Sequence, residues 1–403
     1  MGVIIERVVD ELYVLRYEDK ETRYFEAIWA IPEGVTYNAY VLLTEEGVVL
    51  FDAWKHACAD EFIESLRRIV DPRDIDYLVI HHMEPDHSGA IPRFLKENRG
   101  KAEVLGHRLT GALLKAFYGV DCRFKALRDG EELAVGSKVL KFVYTPWLHW
   151  PETIMSFIYK DKVLLSGDAF GGYSVPSSIF DDNEKEVLEY YRHVRKYVAT
   201  IIGYYSDFII KAIEKLKKLG ISPAVIAPAH GLIFKNKPEV IVDYYSRLAR
   251  GIPEKGKVVV IYGSMYGSIE KAVITAVEEL RKRGMEPVLY KCTDSESLDV
   301  GEAISEIIDA EAIIIGAATY EGEVFPPMSF LLDILVKKIK IPKPVLVISS
   351  YGWGGVAGSK IVEKITRAGF DVVEKIEFRG KPKSEDLDKI VRGVDLLLER
   401  IGR

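Results

Sequence analysis

The chain has 403 residues, 48% of them hydrophobic and 29% charged, with a formal net charge of −6 and a pI near 5.9. That length predicts two or three domains, each with enough apolar side chains for a core of its own. The mild acidity offers no electrostatic footprint for nucleic acid, and no apolar run approaches the roughly 18 residues of a membrane span.

The start, Met1-Gly2-Val3-Ile4-Ile5-Glu6-Arg7, lacks a signal-peptide pattern. Cys58, Cys122 and Cys292 are too few and too far apart for a disulfide framework or a zinc knuckle, so a cytoplasmic setting is expected. Short β-rich runs then dominate: Gly2 to Tyr17, Ala39 to Asp52, Tyr77 to Ile80, Val139 to Tyr144, and the pair Ile154 to Lys160 and Lys162 to Ser166 around a turn at Asp161. Helical stretches from Cys58 to Val70 and from Asp207 to Leu219 lie among them, a pattern that suits a layered sheet sandwich with helices outside.

The run Tyr77-Leu78-Val79-Ile80 leads into His81-His82-Met83-Glu84-Pro85-Asp86-His87. If the backbone stays extended, His82, Glu84 and Asp86 share one face and His81 leans to the other, so His81 reads as a non-ligand. His149 closes a second apolar segment, Asp168 follows Val163 to Gly167, and His230 follows Ala224 to Ala229. Each of these seven residues comes just after a strand-like run, which is how a sheet fold gathers distant side chains at one rim. Four imidazoles and three carboxylates, with no cysteine, are a donor set that suits iron.

This order of residues resembles the metallo-β-lactamase fold, whose zinc motif is His-x-His-x-Asp-His, with Glu84 in place of the second histidine. The replacement, together with His149, Asp168 and His230, resembles the diiron site of the flavodiiron proteins. A carboxylate is a harder donor that favours a metal cycling to the ferric state over redox-inert zinc. The resemblance implies that His82, Glu84 and His149 hold one iron, Asp86, His87 and His230 the other, and that Asp168 bridges them.

A Gly/Pro and charge cluster, Gly251 to Gly256, marks the expected boundary between domains at 1–251 and 255–403. Beyond it, strands and helices alternate: Val258 to Ile261 and a helix from about Ser268 to Arg283, then Pro287 to Tyr290 and Glu302 to Ile308. Ala312 to Ile315 with Met328 to Val336, Val345 to Ile348 with Val356 to Arg367, and Asp371 to Ile376 with a helix from about Glu385 complete the series. Five such units predict a doubly wound parallel sheet.

Three loops at its strand ends are candidates for one flat, phosphorylated ligand. The first, Ser264-Met265-Tyr266-Gly267-Ser268-Ile269, offers hydroxyls and N–H groups at a helix N-terminus and no basic side chain, which suits a phosphate monoester such as that of FMN. The second, Ala318-Thr319-Tyr320-Glu321-Gly322, and the third, Ser350-Tyr351-Gly352-Trp353-Gly354-Gly355, supply glycines for close backbone approach and aromatics to cover a ring. They resemble the flavodoxin FMN site, with Ile269 where many members have threonine.

Together the two resemblances span nearly the whole chain and imply an α/β protein, a metallo-β-lactamase-like αββα sandwich followed by a flavodoxin-like doubly wound sheet. They further imply two non-haem irons, FMN, reduction of dioxygen to water or nitric oxide to nitrous oxide, and a head-to-tail homodimer or dimer of dimers. No rubredoxin-like Cys-x-x-Cys pair extends the C-terminus, so the two-domain form is expected, with an external donor: rubredoxin, reduced deazaflavin or a nicotinamide-linked reductase. A zinc hydrolase of the metallo-β-lactamase type fused to a flavodoxin domain, and a pure electron carrier, are the competing readings. Trp147, Trp150, Tyr190 and Tyr191 are candidates to roof the metal pocket, although core packing is the commoner fate of such rings, and His107 and His193 are candidate proton donors, although solvated helix histidines are the commoner case.

Overall fold

The β-rich run from Gly2 to Tyr17 comprises two strands. In the computed structural model, which describes residues 2–403, the chain turns at Asp10 and Glu11, with Glu11 in the left-handed region at φ 69°. Strands β1 (Gly2–Val9) and β2 (Leu12–Asp19) pair antiparallel across that turn. The next run splits likewise into β3 (Val35–Thr44) and β4 (Gly47–Phe51). Charged residues at Asp10-Glu11 and Glu45-Glu46 interrupt each hydrophobic stretch, and they mark hairpins that continuous apolarity conceals.

These strands continue into β5 (Tyr77–Ile80), β6 (Glu103–Gly106) and β7 (Phe124–Ala126), which join in parallel, giving one sheet in the order β1-β2-β3-β4-β5-β6-β7. The second sheet runs β8 (Glu132–Val135), β9 (Lys138–Tyr144), β10 (Ile154–Ile158), β11 (Val163–Gly167) and β12 (Val225–Pro228). Val14, Leu42, Val49, Val79 and Leu105 of the first sheet share one buried cluster with Leu140, Phe142, Ile154, Val163 and Leu165 of the second. The two sheets therefore form a sandwich. Helices such as Ala59–Arg67 bury one apolar face, there Phe62, Ile63 and Leu66.

The chain clusters into two units, one ending at Tyr197 and resuming over Asp207–Ser246, the other comprising Val198–Ser206 and Arg247–Arg403. The helix Glu184–Tyr197 passes directly into a fully buried π-helical turn, Val198–Ile202, which belongs to the second unit. The sequence reading assigned no element to that turn.

In the second unit β13 (Lys257–Gly263), β14 (Glu286–Cys292), β15 (Ala312–Tyr320), β16 (Pro344–Tyr351) and β17 (Asp371–Arg379) form a parallel sheet in the order β14-β13-β15-β16-β17. Helices Ser268–Lys282 and Ser384–Arg400 cover one face through Val273, Ala276, Leu280, Val394 and Leu397. The strand order reverses at β13, whose C-terminal end and those of β15 and β16 put three loops on one rim. Two expectations need correction: Ala318, Thr319 and Tyr320 lie in β15 itself, because Glu323–Val324 folds back and pairs with Thr319 and Tyr320, and Ser350 and Tyr351 are the last two residues of β16, paired with Phe378 and Arg379.

Candidate metal centre and flavin loops

All seven candidate ligands sit past strand ends of the first unit. His82 and Glu84 leave β5, and Asp86 and His87 occupy a one-turn helix, Pro85–Ser88, started by proline at its first position. Asp168 follows β11 across Gly167 at φ 59°, His230 lies two residues beyond β12, and His149 is in the loop from β9 to β10. None is more than 9% exposed except Asp86, which is partly buried.

Asp168 is the hub. Its Oδ1 lies 3.1 Å from His87 Nε2 and 3.5 Å from His230 Nε2, while Oδ2 lies 3.3 Å from His82 Nε2 and 3.2 Å from His149 Nε2. One carboxylate thus faces two imidazoles with each oxygen, the disposition a bridging ligand needs. Glu84 Oε2 lies 2.7 Å from His149 Nε2 and 3.5 Å from His82 Nε2, and Asp86 Oδ2 lies 3.3 Å from His87 Nε2 and 3.5 Å from His230 Nε2. Three overlapping groups result, His82 with Glu84, His149 and Asp168, His82 with Asp86 and His87, and His87 with His230 and Asp168, each with donor atoms within 4.8 Å of one another.

This cage fits a pair of cations. Both ring nitrogens of His82, both oxygens of Asp86 and both of Asp168 are buried without a hydrogen-bond partner, a cost that a bound metal would remove. Burial works against a charged His82 and His149, yet Asp168 and Glu84 outweigh it, raising His82 well above its ordinary pKa and His149 to about 10. Burial and then the neighbouring Glu84 push Asp86 up to about 8. Burial also favours a protonated Glu84, but the hydrogen bond from His149 and the nearby His82 imidazole hold it down to about 2. Protonated His82 and His149 therefore supply, in the bare cage, positive charge that the carboxylates demand, whereas burial and then His87 lower His230.

His81 turns away from the cage, its Nδ1 on Asp52 and its Nε2 on Ser156. Of the anticipated roof, only Trp150 has its ring near a ligand, 6.5 Å from His82; Trp147 is 37% exposed and Tyr190 packs against Phe234. The partly buried Tyr191 packs against Tyr244. The rings beside the cage are Phe25, Tyr37 and Tyr197, with centroids 6.0, 5.6 and 5.5 Å from that of His230. These had no sequence signal, since they lie far from every ligand along the chain. Tyr197 Oη is buried and has no hydrogen-bond partner. Burial first, then Asp168, keeps that hydroxyl protonated well above the usual tyrosine range. His107 is not a solvated helix histidine: it stands at the end of β6, buried against Tyr144.

At the rim of the second unit, Gly267 takes φ 78°, donates its N–H to Ser264 Oγ at 3.1 Å and opens the helix beginning at Ser268. Ile269 is buried in the core with Val273, leaving only its backbone for a ligand, and Met265 packs partly on the same cluster. Tyr266 is 89% and Trp353 96% exposed, an unusual position for large rings unless something covers them. A Cβ at Gly322, Gly352 or Gly354 would meet nothing within 4 Å, so the backbone at these positions stands open at the rim. Thr319 Oγ1 accepts the N–H groups of Val356 and Ala357, which ties the second loop to the third. Glu321 shapes the second loop at φ 48°, Ser350 and Ala318 are buried beneath the rim, and the Tyr351 ring would block any side chain at Gly355.

Residues 35–231 match the family described as ODP family beta lactamase, and residues 260–393 match flavodoxin. The chain is 33% identical over 386 residues to a nitric oxide reductase of Moorella thermoacetica, covering 95% of both chains. It is 31% identical over 388 residues to a rubredoxin-oxygen oxidoreductase of Megalodesulfovibrio gigas, again with 95% coverage of both. A flavo di-iron protein from Thermotoga maritima superimposes with a TM-score of 0.93 at 39% identity, over 99% of each chain. A sandwich bearing a dinuclear cage followed by a flavin-binding sheet defines a class of two-cofactor oxidoreductases. The chain belongs to the flavodiiron protein family. Its cofactors are FMN and a pair of irons, and the zinc hydrolase reading falls away. Among the described residues no helix is long and apolar enough to cross a membrane.

Proposed function

We propose that this chain reduces dioxygen to water, nitric oxide to nitrous oxide, or both, in the cytoplasm. His82, Glu84 and His149 hold one iron, Asp86, His87 and His230 the other, and Asp168 bridges. Residues 1–251 carry this centre and residues 255–403 carry FMN on the three loops. The single observation behind the reading is the Asp168 carboxylate, buried, without a hydrogen-bond partner and facing four imidazoles.

Bound iron supplies an open coordination position for the gas, and bound FMN supplies electrons to it. The protein's own part is to orient, to exclude water and to deliver protons. Dioxygen with four electrons and four protons gives two waters; two nitric oxide molecules with two electrons and two protons give nitrous oxide and one water. Phe25 and Tyr37 wall the His230 side with rings, and the Tyr197 hydroxyl, kept protonated by its surroundings, can donate there. On the flavin side, Ser264, Ser268 and the N–H groups around Gly267 receive the phosphate, and Tyr266, Tyr320 and Trp353 cover the ring.

The electron donor is an external protein or cofactor. Likeness to a rubredoxin-oxygen oxidoreductase supports rubredoxin and likeness to a coenzyme F420H(2) oxidase supports a reduced deazaflavin, with a nicotinamide-linked reductase as the third candidate. Because the two cofactor sites are carried by separate halves of the chain, a head-to-tail homodimer is the proposed working unit. The test is metal and flavin analysis followed by anaerobic kinetics with each gas on chemically reduced protein. Two irons and one FMN per chain with gas consumption are expected, whereas zinc with thioester hydrolysis, or FMN without metal, would refute the proposal.

A further inference from the structure

His81, next to the first ligand, is bound on every side by groups outside the cage. Its N–H donates to Asp52 Oδ1 at 2.8 Å, its Nδ1 lies 2.5 Å from Asp52 Oδ2, and its Nε2 lies 2.9 Å from Ser156 Oγ. Its carbonyl accepts the Ile154 N–H at 2.9 Å. Asp52 follows β4 in one sheet and Ser156 lies in β10 of the other, so the imidazole joins the two rims of the sandwich. An Asp–His–Ser series is the arrangement of a nucleophile relay. Here Ser156 is 0% exposed within a strand, out of reach of any substrate, which leaves a holding role. Two residues further on, Glu152 Oε1 accepts the Met83 N–H at 2.9 Å, between His82 and Glu84.

The second half of the cage is held differently. Ala53 N–H donates to the His87 carbonyl at 2.8 Å, and Ala90 N–H to the Trp54 carbonyl at 2.8 Å. His230 Nδ1 faces the Thr36 carbonyl at 2.7 Å. Beside it, Thr36 Oγ1 accepts the Gly231 N–H at 2.7 Å and Asn38 Nδ2 donates to the Gly231 carbonyl at 3.2 Å, so this half is braced by backbone groups and by side chains of β3, not by Asp52, His81 and Ser156.

We propose that Asp52, His81 and Ser156, helped by Glu152, form a positioning device dedicated to the His82–Glu84–His149 half of the cage, so that the two irons are bound with separable affinities. The inference rests on the dinuclear reading given above. Partners that orient ligands change metal affinity by about 10- to 100-fold when lost, and here such a loss falls on one half only. His81 is a positioning residue, since it touches neither metal nor gas.

The test is an anaerobic Fe²⁺ titration by calorimetry of the metal-free, FMN-loaded full chain. His230→Ala leaves the His82 half intact and His149→Ala leaves the His87 half. Adding His81→Ala should weaken the remaining equivalent about 10- to 100-fold in the first background and by less than about twofold in the second. His81→Asn, whose amide can still donate to Asp52, should recover part of the loss. Equal weakening in both backgrounds, or none in either, would overturn the proposal. If His81→Ala does not fold, as judged by circular dichroism and FMN content, Ser156→Ala carries the same test with a smaller change in the same direction, and an unaltered titration there overturns it. A wild-type protein that fails to take two equivalents sinks the dinuclear reading and this inference with it; two equivalents with no dependence on background sink the inference alone.

Discussion

The two cofactor regions are built on opposite principles. The metal cage is assembled from side chains at or near zero exposure, held by hydrogen bonds of two sheets, with its unsatisfied atoms pointing inward. The flavin rim is made of backbone and exposed rings, with Trp353 almost wholly in solvent. The first carries its cost as buried charge, the second as uncovered apolar surface. A cage of fixed charge should therefore be sensitive to single ligands and to pH, and a rim of loops to neither in the same degree.

The sharpest way to break this contrast is Asp168→Ala, which removes the group facing all four imidazoles. Both irons and all gas reduction should be lost while FMN content stays at one per chain, checked by elemental analysis and absorbance. Glu84→Ala should lower iron occupancy and abolish turnover, also with FMN retained; surviving turnover would remove Glu84 from the mechanism. Tyr197→Phe keeps the ring and deletes the unpartnered hydroxyl, so it should leave iron and FMN content unchanged and slow turnover by about tenfold, the loss of one hydrogen bond of about 1.5 kcal/mol. On the other side, Trp353→Ala should weaken FMN about fivefold in a fluorescence titration, in line with about 1 kcal/mol for a stacking aromatic, with no change in metal content.

The pH effect is the smallest and runs through the bare cage. His149 stands near 10 in the folded, metal-free protein and near 6.5 when unfolded, so its contribution to stability is whole below about pH 6.5 and is lost as pH rises through about 10. Asp86, raised to about 8, acts in the same direction from about pH 4 to about pH 8. Metal must displace these protons. The gain in Tm on adding Fe²⁺ should therefore widen between about pH 6 and pH 9. A gain that narrows over this range would mean that His149 is not protonated in the bare cage.

The fold was legible because hydrophobic runs and glycine-rich turns are local signals. Five β-α units after Gly256 and the sandwich before it could both be read from periodicity. Hairpins hidden inside Gly2 to Tyr17 and Ala39 to Asp52 were not, since their turns are two-residue charged breaks without glycine or proline. At the candidate site, the seven donors were legible because each follows a strand and their types are rare. Phe25, Tyr37 and Tyr197 were not, because ring contacts with His230 arise from pairing across the sheets and leave no spacing pattern. His81 could be excluded as a ligand by alternation, but its ties to Asp52 and Ser156 belong to tertiary structure alone.

The buried π-helical turn at Val198–Ile202 bears on how this protein can be divided. A cut in the Gly251–Gly256 cluster would seem to free a flavin-binding half, yet Val198–Ser206 packs with that half while being encoded well upstream of the cut. A fragment starting at residue 255 would lose this strip, whose first five residues are all buried, and expose the apolar surface it covers. Supplying that strip in trans, or grafting it onto the fragment, is the route to an isolated flavin half that keeps its shape.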